Sequence, residues 1–202
     1  MLCRILLLFV GAAAIAAGQG AASHPSRDVL ASMTGEYNAG SVMITIGLRP
    51  DGTLTSRIAQ TPEAELQHER DLRFSVKGQP GVAVEFRRNA KGEIFALTSH
   101  QPNGSIPALR QSKDPIDAAV LPTLTGMYEA GDKKFSVELT PAGVLTFTVV
   151  GSPSVELMFA RDLLFTVRGS AGAYIEFVSG PNGVITGLFV HSATSIFASR
   201  FR

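Results

Sequence analysis

The sequence predicts an all-β protein made of two tandem eight-stranded antiparallel up-and-down barrels that follow a signal peptide. The first observation behind this prediction is an internal repeat, because residues 34–109 align without a gap on residues 125–200 after a shift of 91 positions. The second is the alternation of apolar and polar residues in short segments separated by turn residues, which is typical of strands buried on one side. A repeat of this length indicates two copies of one unit.

Residues 1–22 have the pattern of a secretory signal peptide. Arg4 provides a basic start, an apolar run extends from Ile5 to Ala17, and small residues follow up to Ala22. The run has about 13 residues, whereas a membrane span needs about 20. We therefore expect cleavage after Ala22, with Gly18 as the alternative, and a secreted or periplasmic bacterial protein. A retained membrane anchor is the other interpretation of this segment.

Cysteine content and charge restrict the classes of function. Cys3 is the only cysteine and lies in the predicted signal peptide, so the exported chain would contain no disulfide and no cysteine metal ligand. The formal net charge is +1, and loss of Arg4 brings it to zero (+1 − 1 = 0). A neutral surface gives no electrostatic reason to expect nucleic acid or anionic lipid as a partner.

The first predicted barrel covers residues 30–110. Its apolar residues recur with a period of two, and glycine-containing turns separate the segments. The segment from Pro62 to Glu69 is the only place where a helix competes with a strand. The alternating apolar positions and the turn residues are Val42, Ile44, Ile46, Leu48; Leu72, Phe74, Val76; Val84, Phe86; Asp51-Gly52, Lys91-Gly92 and Asn103-Gly104.

The second predicted barrel covers residues 124–202 and repeats this pattern. A linker at 111–123, with Pro115 and Pro122, joins the two barrels and has room for one turn of helix. The alternating apolar positions and the turn residues are Phe135, Val137, Leu139; Leu163, Phe165, Val167; Ile175, Phe177; Ala142-Gly143 and Asn182-Gly183.

Barrel closure is predicted from the need to protect strand edges. Short turns over about eighty residues give about eight strands per unit, and closing such a meander removes its exposed edges. A barrel of about eight strands is just wide enough for side chains or one small ligand. The bulky apolar residues favour a filled interior, and a ligand cavity is the alternative.

The two copies differ on a strand face that we assign to the outside. The first copy has Arg73, Ala83, Arg87 and Ser99 where the second has apolar residues, and Gln67-His68 becomes Met158-Phe159. We expect this apolar face to pack on the first barrel, on a second molecule or on a partner protein; scattered exposed apolar residues are the alternative. The predicted interaction surface consists of Leu164, Tyr174, Val178 and Val190.

Three polar residues repeat at equivalent positions and are the candidate site residues. They are His100 with His191, Glu85 with Glu176, and Arg70 with Arg161. A functional interpretation places them at a barrel mouth, with each histidine as a proton shuttle or ligand. The structural interpretation is a half-buried histidine bonded to a backbone or carboxylate partner, and a Glu–Arg charge pair on a strand face. Their spacing predicts neither a catalytic dyad nor a metal cluster.

The ordered pattern resembles the small lipocalin-like domain at the C-terminus of penicillin-binding-protein-like and class C β-lactamase-like serine hydrolases. The residues that carry the resemblance are Thr34-Gly35-Glu36-Tyr37 and Thr125-Gly126-Met127-Tyr128, Gly52-Thr53-Leu54 and Gly143-Val144-Leu145, and Pro62 to Leu66 and Pro153 to Leu157. The resemblance implies a lipocalin-like barrel with an accessory role. Hydrolysis in that family uses Ser-x-x-Lys, which this sequence lacks.

These observations predict a secreted, non-catalytic binding or protein-interaction module, with no cofactor and no metal. The interaction surface on the second barrel makes a protein partner or self-association the first hypothesis. A carrier that holds a small hydrophobic molecule inside one barrel is the alternative. A hydrolase with an unrecognised site is a third possibility, and it requires a His or Glu with a strongly shifted pKa in a cleft.

Overall fold

The computed structural model describes residues 24–201 and confirms the predicted fold class, because it contains two closed eight-stranded antiparallel barrels in tandem. The predicted signal peptide, 1–22, lies outside the described residues. Within residues 24–201, neither of the helices has the length and apolar character that crossing a bilayer takes.

A short helix precedes each barrel. Helix α1 spans Arg27–Met33 and helix α2 spans Leu121–Leu124, at the end of the predicted linker. The strands of the first barrel are β1 (Gly35–Asn38), β2 (Met43–Leu48), β3 (Leu54–Ile58), β4 (Ala64–Arg70), β5 (Arg73–Val76), β6 (Ala83–Arg88), β7 (Ile94–Gln101) and β8 (Gly104–Arg110). Those of the second are β9 (Gly126–Ala130), β10 (Lys133–Leu139), β11 (Leu145–Val149), β12 (Val155–Arg161), β13 (Leu164–Val167), β14 (Tyr174–Ser179), β15 (Ile185–His191) and β16 (Ser195–Phe201).

Each barrel closes by pairing its first strand with its last. Tyr37 of β1 is opposite Arg110 of β8, and Tyr128 of β9 is opposite Arg200 of β16. All other neighbours are consecutive hairpin strands, as the short turns predict. The segment from Pro62 to Glu69, where the sequence left a helix open, contains most of strand β4.

Large apolar side chains occupy the interior of each barrel. In the first, Phe74 and Phe86 meet edge to face with ring centroids 5.8 Å apart, and Phe165 and Phe177 repeat this contact at 5.6 Å in the second. Edge-to-face packing of this kind contributes about 0.5–1.5 kcal/mol beyond burial. The interiors are therefore packed hydrophobic cores.

Helix α1 was not predicted, and it starts before the expected boundary at residue 30. Ser26 caps it by accepting a hydrogen bond from the Val29 backbone N–H, and Leu30 and Met33 are buried in the first core. Its seven residues are too few to show a helical period, because two buried positions make no stripe. The helix covers one end of the barrel.

The tyrosine of each Thr-Gly-x-Tyr segment connects the short helix before a barrel to that barrel. The Tyr37 hydroxyl donates to the Met33 carbonyl at 2.7 Å, and Tyr128 donates to Leu124 at the same distance. Arg110 donates to the Thr34 carbonyl at 2.6 Å and lies over Gly35, where an added Cβ would be 3.3 Å from its Nε. The repeated Gly and Tyr therefore have a structural role, because they allow the helix and the last strand to pack at one end of the barrel.

The structure corrects the gapless repeat. Ala108 and Arg110 of β8 match Ala198 and Arg200 of β16, which is a shift of 90 positions (198 − 108). The β7–β8 hairpin therefore has one residue more than the β15–β16 hairpin, since His100 pairs with Ser105 and His191 pairs with Ser195, and the gap in the alignment falls in this turn. The sequence does not reveal this misalignment of β8 with β16, because both strands contain several small and apolar residues and align plausibly with either shift.

Candidate functional site

The two barrels lie against each other and form a cleft at their boundary. The outer face of β7 and β8 packs against β12, β13 and the start of β14. The buried cluster at this contact consists of Ala96 and Leu109 from the first barrel and Ala160, Leu164 and Tyr174 from the second, with Phe95 beside them.

Backbone hydrogen bonds fix this contact at one end. Gly172 N–H donates to the Ala39 carbonyl at 2.7 Å, and Gly169 N–H donates to the Gly40 carbonyl at 3.1 Å. Gly40 has φ +86, and a Cβ added there would lie 2.3 Å from the Ser170 carbonyl oxygen. Only glycine fits at such a close approach of two backbones.

An arginine fixes the contact at the other end. Arg161 Nη1 donates to the Ile94 carbonyl at 3.2 Å, and its Nη2 lies 3.4 Å from the Glu93 carboxylate. The repeat equivalent, Arg70, is exposed on the first barrel. The expected pairing of Arg70 and Arg161 with Glu85 and Glu176 is therefore wrong, because the second copy uses its arginine to reach the neighbouring barrel.

A Ser–His–Glu trio lies on the outer wall of the first barrel. His100 has its Nδ1 2.9 Å from Ser105 Oγ and its Nε2 2.9 Å from the Glu85 carboxylate. Arg73 donates to the same carboxylate at 3.3 Å. The hydrogen bond from His100 is the main reason that the pKa of Glu85 lies below its usual value.

The second barrel repeats the trio. His191 has its Nδ1 2.8 Å from Ser195 Oγ and its Nε2 3.1 Å from Glu176. Ser105 is opposite His100, and Ser195 is opposite His191, although the two serines are not equivalent under the 91-residue shift. The one-residue difference between the hairpins is thus compensated, and each histidine retains a serine partner.

The trio has the residue types of a hydrolase triad and lies on the outer wall of each barrel. It occupies adjacent strands of an outer wall, where cross-strand polar contacts stabilise a sheet. His191 and Ser195 are directly opposite each other in the β15–β16 ladder.

The histidines do not lie at a barrel mouth. The strands place His100, His191, Glu85 and Glu176 on the outer walls, since Glu85 alternates with the buried Val84 and Phe86. Both histidines are half-buried and bonded to a carboxylate, as in the structural interpretation of the sequence. Among the described residues, no group of three or more His, Cys, Asp and Glu side chains is arranged to hold a metal ion.

The predicted interaction surface divides into three parts. Leu164 and Tyr174 are buried against the first barrel. Val178 stays partly exposed on the outer wall. Val190 was assigned to the wrong face, because it is opposite Ile175 and packs into the second core. Ser99, its counterpart, is likewise buried.

The cleft itself has a volume of about 490 Å³. The first barrel contributes the strand β6 end, the following turn and Phe95. The second contributes the Tyr174 and His191 rings, which stack with centroids 4.2 Å apart, and Glu176. Ligand sites typically measure about 300–1,000 Å³ and often lie between domains.

Arg87 is the cation that the cleft leaves without a polar partner. Its guanidinium lies 5.3 Å from the centre of the Phe95 ring, and within residues 24–201 it makes no hydrogen bond or ion pair. The two carboxylates of the cleft are engaged, since Glu176 bonds His191 and Asp162 bonds Arg161. The cleft therefore presents an apolar wall with a free positive charge.

Sequence reasoning missed Ser105, Ser195, Arg87 and Phe95 as site residues. The serines were hidden by the one-residue shift between hairpins. Arg87 was noted only as the polar counterpart of Val178. The signal that could have identified it is that one copy has a polar residue where the other copy has an apolar one.

A scan against protein-family models finds no match for this sequence, and a search of the curated proteins finds none either.

Proposed function

We propose that this protein is a non-catalytic binding module whose ligand site is the cleft between its two barrels. The observation that carries the proposal is the unpaired Arg87 guanidinium over Phe95, in a concave site about 490 Å³ in volume. Pockets that bind small molecules combine apolar walls with a few convergent polar groups in this way.

The side chains of the cleft favour an organic anion with an aromatic or other apolar body. Phe95 and Leu164 provide apolar contact, and the stacked rings of Tyr174 and His191 form part of the wall. Arg87 and Arg88 provide guanidinium groups, which bind carboxylate, sulfonate or phosphate oxygens with paired hydrogen bonds. Cation–π contact with Phe95 holds Arg87 in place before the ligand arrives.

The alternative of a ligand inside a barrel has less support. The first interior contains Tyr37, Phe74, Leu54 and Leu97, each nearly or fully buried and in one cluster. A carrier would need these side chains to move apart, at the expense of their packing. A binding role outside the cytoplasm also agrees with the predicted signal peptide and with the accessory role that the resemblance implies.

The proposal is tested with 8-anilinonaphthalene-1-sulfonate, a fluorescent aromatic sulfonate. We expect one dye molecule per chain, a dissociation constant raised about tenfold or more by Arg87→Gln, which removes a charged hydrogen bond, and a similar loss for His191→Ala. His100→Ala is the matched control, because it breaks the same type of trio outside the cleft. Native mass spectrometry of the purified chain would show any retained natural molecule.

Three results would overturn the proposal. Equal loss of dye in the His100 and His191 variants would place binding elsewhere. Dye affinity unchanged by Arg87→Gln would remove the anion site. Covalent labelling of Ser105 or Ser195 by a fluorophosphonate would show a reactive serine and favour the hydrolase alternative.

A further inference from the structure

The loop between strands β5 and β6 has the same backbone conformation as its repeat equivalent between β13 and β14. Gly78 and Gly169 have φ +79 and +77, and Gly81 and Gly172 have φ +79 and +75. Two matching backbone hydrogen bonds hold each loop in this shape. They run from Gln79 to Val76 and from Val82 to Gln79 in the first barrel, and from Ser170 to Val167 and from Ala173 to Ser170 in the second.

In the second barrel, two glycine N–H groups of this loop bind a turn of the first barrel. Gly172 donates to the Ala39 carbonyl and Gly169 donates to the Gly40 carbonyl. The two acceptors belong to consecutive residues of the β1–β2 turn, 39–42, which lies outside the strand ladder. The loop therefore recognises the main chain of an open turn.

In the first barrel, the same two N–H groups point to no acceptor of the chain. Within residues 24–201, neither Gly78 nor Gly81 donates a hydrogen bond. Both glycines line a groove of about 300 Å³ on the outer wall of β4, β5 and β6. Because the loop is held in shape by its own hydrogen bonds, the two donors are in position before a ligand binds, which lowers the entropic cost of binding.

The side chains around these two donors are polar. Gln67, Ser75 and Gln79 line the groove, and Arg73 pairs with Glu69 at 2.9 Å. The matching wall of the second barrel is apolar and is covered by the apolar wall of the first. Burial of amides and charges under such an apolar wall is unfavourable, so the groove of the first barrel suits a short polar segment of chain.

A second copy of this chain does not offer the turn that the loop recognises. The 39–42 turn of each molecule is already bound by its own second barrel. In the second barrel, the corresponding ladder extends to Ala130 and Lys133, which leaves only Gly131 and Asp132 in the turn. The site therefore favours a segment of a different protein.

The contact within the chain also shows which residue such a segment needs. A Cβ added at Gly40 would lie 2.3 Å from the Ser170 carbonyl oxygen and 2.6 Å from that of Val167. Gln79 and Val76 have the equivalent positions in the first barrel. The second of the two acceptor residues must therefore be glycine, because any side chain there would meet the backbone of the loop.

We infer that the β5–β6 loop of the first barrel binds a polar, glycine-containing turn of a partner protein. Gly78 and Gly81 donate to the carbonyls of two consecutive residues of this turn, and the second of these residues is glycine. The inference is independent of the proposed ligand site, because the residues that line the groove and those that line the cleft are different.

Amide NMR of the isotope-labelled chain, titrated with a capped peptide, tests this inference. The peptide has the sequence of residues 38–42, and a matched peptide has alanine in place of Gly40. We expect the first peptide to shift the amide signals of Gly78 and Gly81 and to leave those of their equivalents in the second barrel unchanged, because these are already bonded within the chain. The alanine peptide should bind about tenfold more weakly or worse, as for the loss of one or two hydrogen bonds.

Variants of the groove establish where the peptide binds. Gln67→Trp places a large side chain at an exposed position of the groove and should abolish both shifts. Arg57→Trp is the control, because Arg57 is exposed on strand β3 outside the groove. Circular dichroism establishes that each variant retains its barrels. If Gln67→Trp fails to fold, Ser75→Trp blocks the same groove from the neighbouring strand.

Four results would overturn the inference. The first is the absence of shifts at Gly78 and Gly81 with the peptide in large excess, and the second is equal binding of the two peptides. Equal shifts with sodium acetate or sodium phosphate would show a site for simple anions. Shifts of the same two signals on dilution of the free chain would show self-association in place of a partner protein.

Discussion

His191 stacks on Tyr174, with ring centroids 4.2 Å apart and an interplanar angle of 17°, whereas the equivalent His100 is opposite Ala83. Each histidine bonds a serine and a glutamate of its own barrel. The two differ in the residue opposite them, since His191 has an aromatic ring there and His100 has a methyl group. Tyr174 is also buried against the first barrel. One aromatic residue thus links the docking contact to the proposed ligand site.

Replacement of Tyr174 by alanine should destabilise the protein. The side chain is 7% exposed and contacts both barrels, so its removal leaves a cavity at their boundary. Truncation of a buried aromatic residue costs about 3 kcal/mol in free energy of unfolding, which urea denaturation would measure. Val178→Ala, at a partly exposed position of the same strand, should cost less than about 1 kcal/mol. Equal effects of the two changes would contradict a buried role for Tyr174.

A methyl group at Gly40 should separate the barrels. Gly40→Ala places a Cβ 2.3 Å from the Ser170 carbonyl oxygen, so the docking hydrogen bonds must break. Gly131→Ala is the matched control, because Gly131 is the repeat equivalent, also has a positive φ and has nothing within 4 Å of an added Cβ. Small-angle scattering should show a larger radius of gyration and proteases should cut residues 111–123 faster in the Gly40 variant only. If both variants responded equally, the effect would come from backbone strain at a positive φ and not from a clash between the barrels.

The stability of the second barrel should fall above about pH 10, the usual pKa of tyrosine. Burial raises the pKa of Tyr128 to about 12. The unfolded chain therefore loses this proton first, so the stabilising contribution is complete below the unfolded pKa and is lost as the pH rises through the folded pKa. Between these values each pH unit lowers the free energy of unfolding by about 1.4 kcal/mol per tyrosine.

Tyr128→Phe should make that alkaline loss less steep, and thermal unfolding between pH 8 and about pH 11 would measure the difference. The variant should also lose about 1 kcal/mol at neutral pH, because the Leu124 carbonyl loses its hydrogen-bond donor. Parallel pH profiles for wild type and variant would show that Tyr128 ionises as freely in the folded state as in the unfolded state.

The sequence alone determined the number of units, the strand class and most of the core. Period-two alternation needs only near neighbours, so Phe74 with Val76, and Phe165 with Val167, were assigned to the interior correctly. Alternation fails where a turn changes length or a strand bulges. The misplacement of Val190 and the undetected gap between the last hairpins have this origin.

Only the tertiary structure decided which walls meet. Three features depend on how the two closed barrels are oriented. Leu164 and Leu109 are buried in one cluster, Arg161 donates a hydrogen bond to the Ile94 carbonyl, and Arg87 lies in the cleft without a polar partner among the described residues. Each barrel folds through contacts within its own repeat, whereas their mutual placement depends on a few residues that differ between the copies. The repeat pattern identifies the residues that both copies need in order to fold. The cleft is formed by residues that differ between the copies and come from different barrels, so their proximity depends on the packing of the two barrels and cannot be predicted from the repeat.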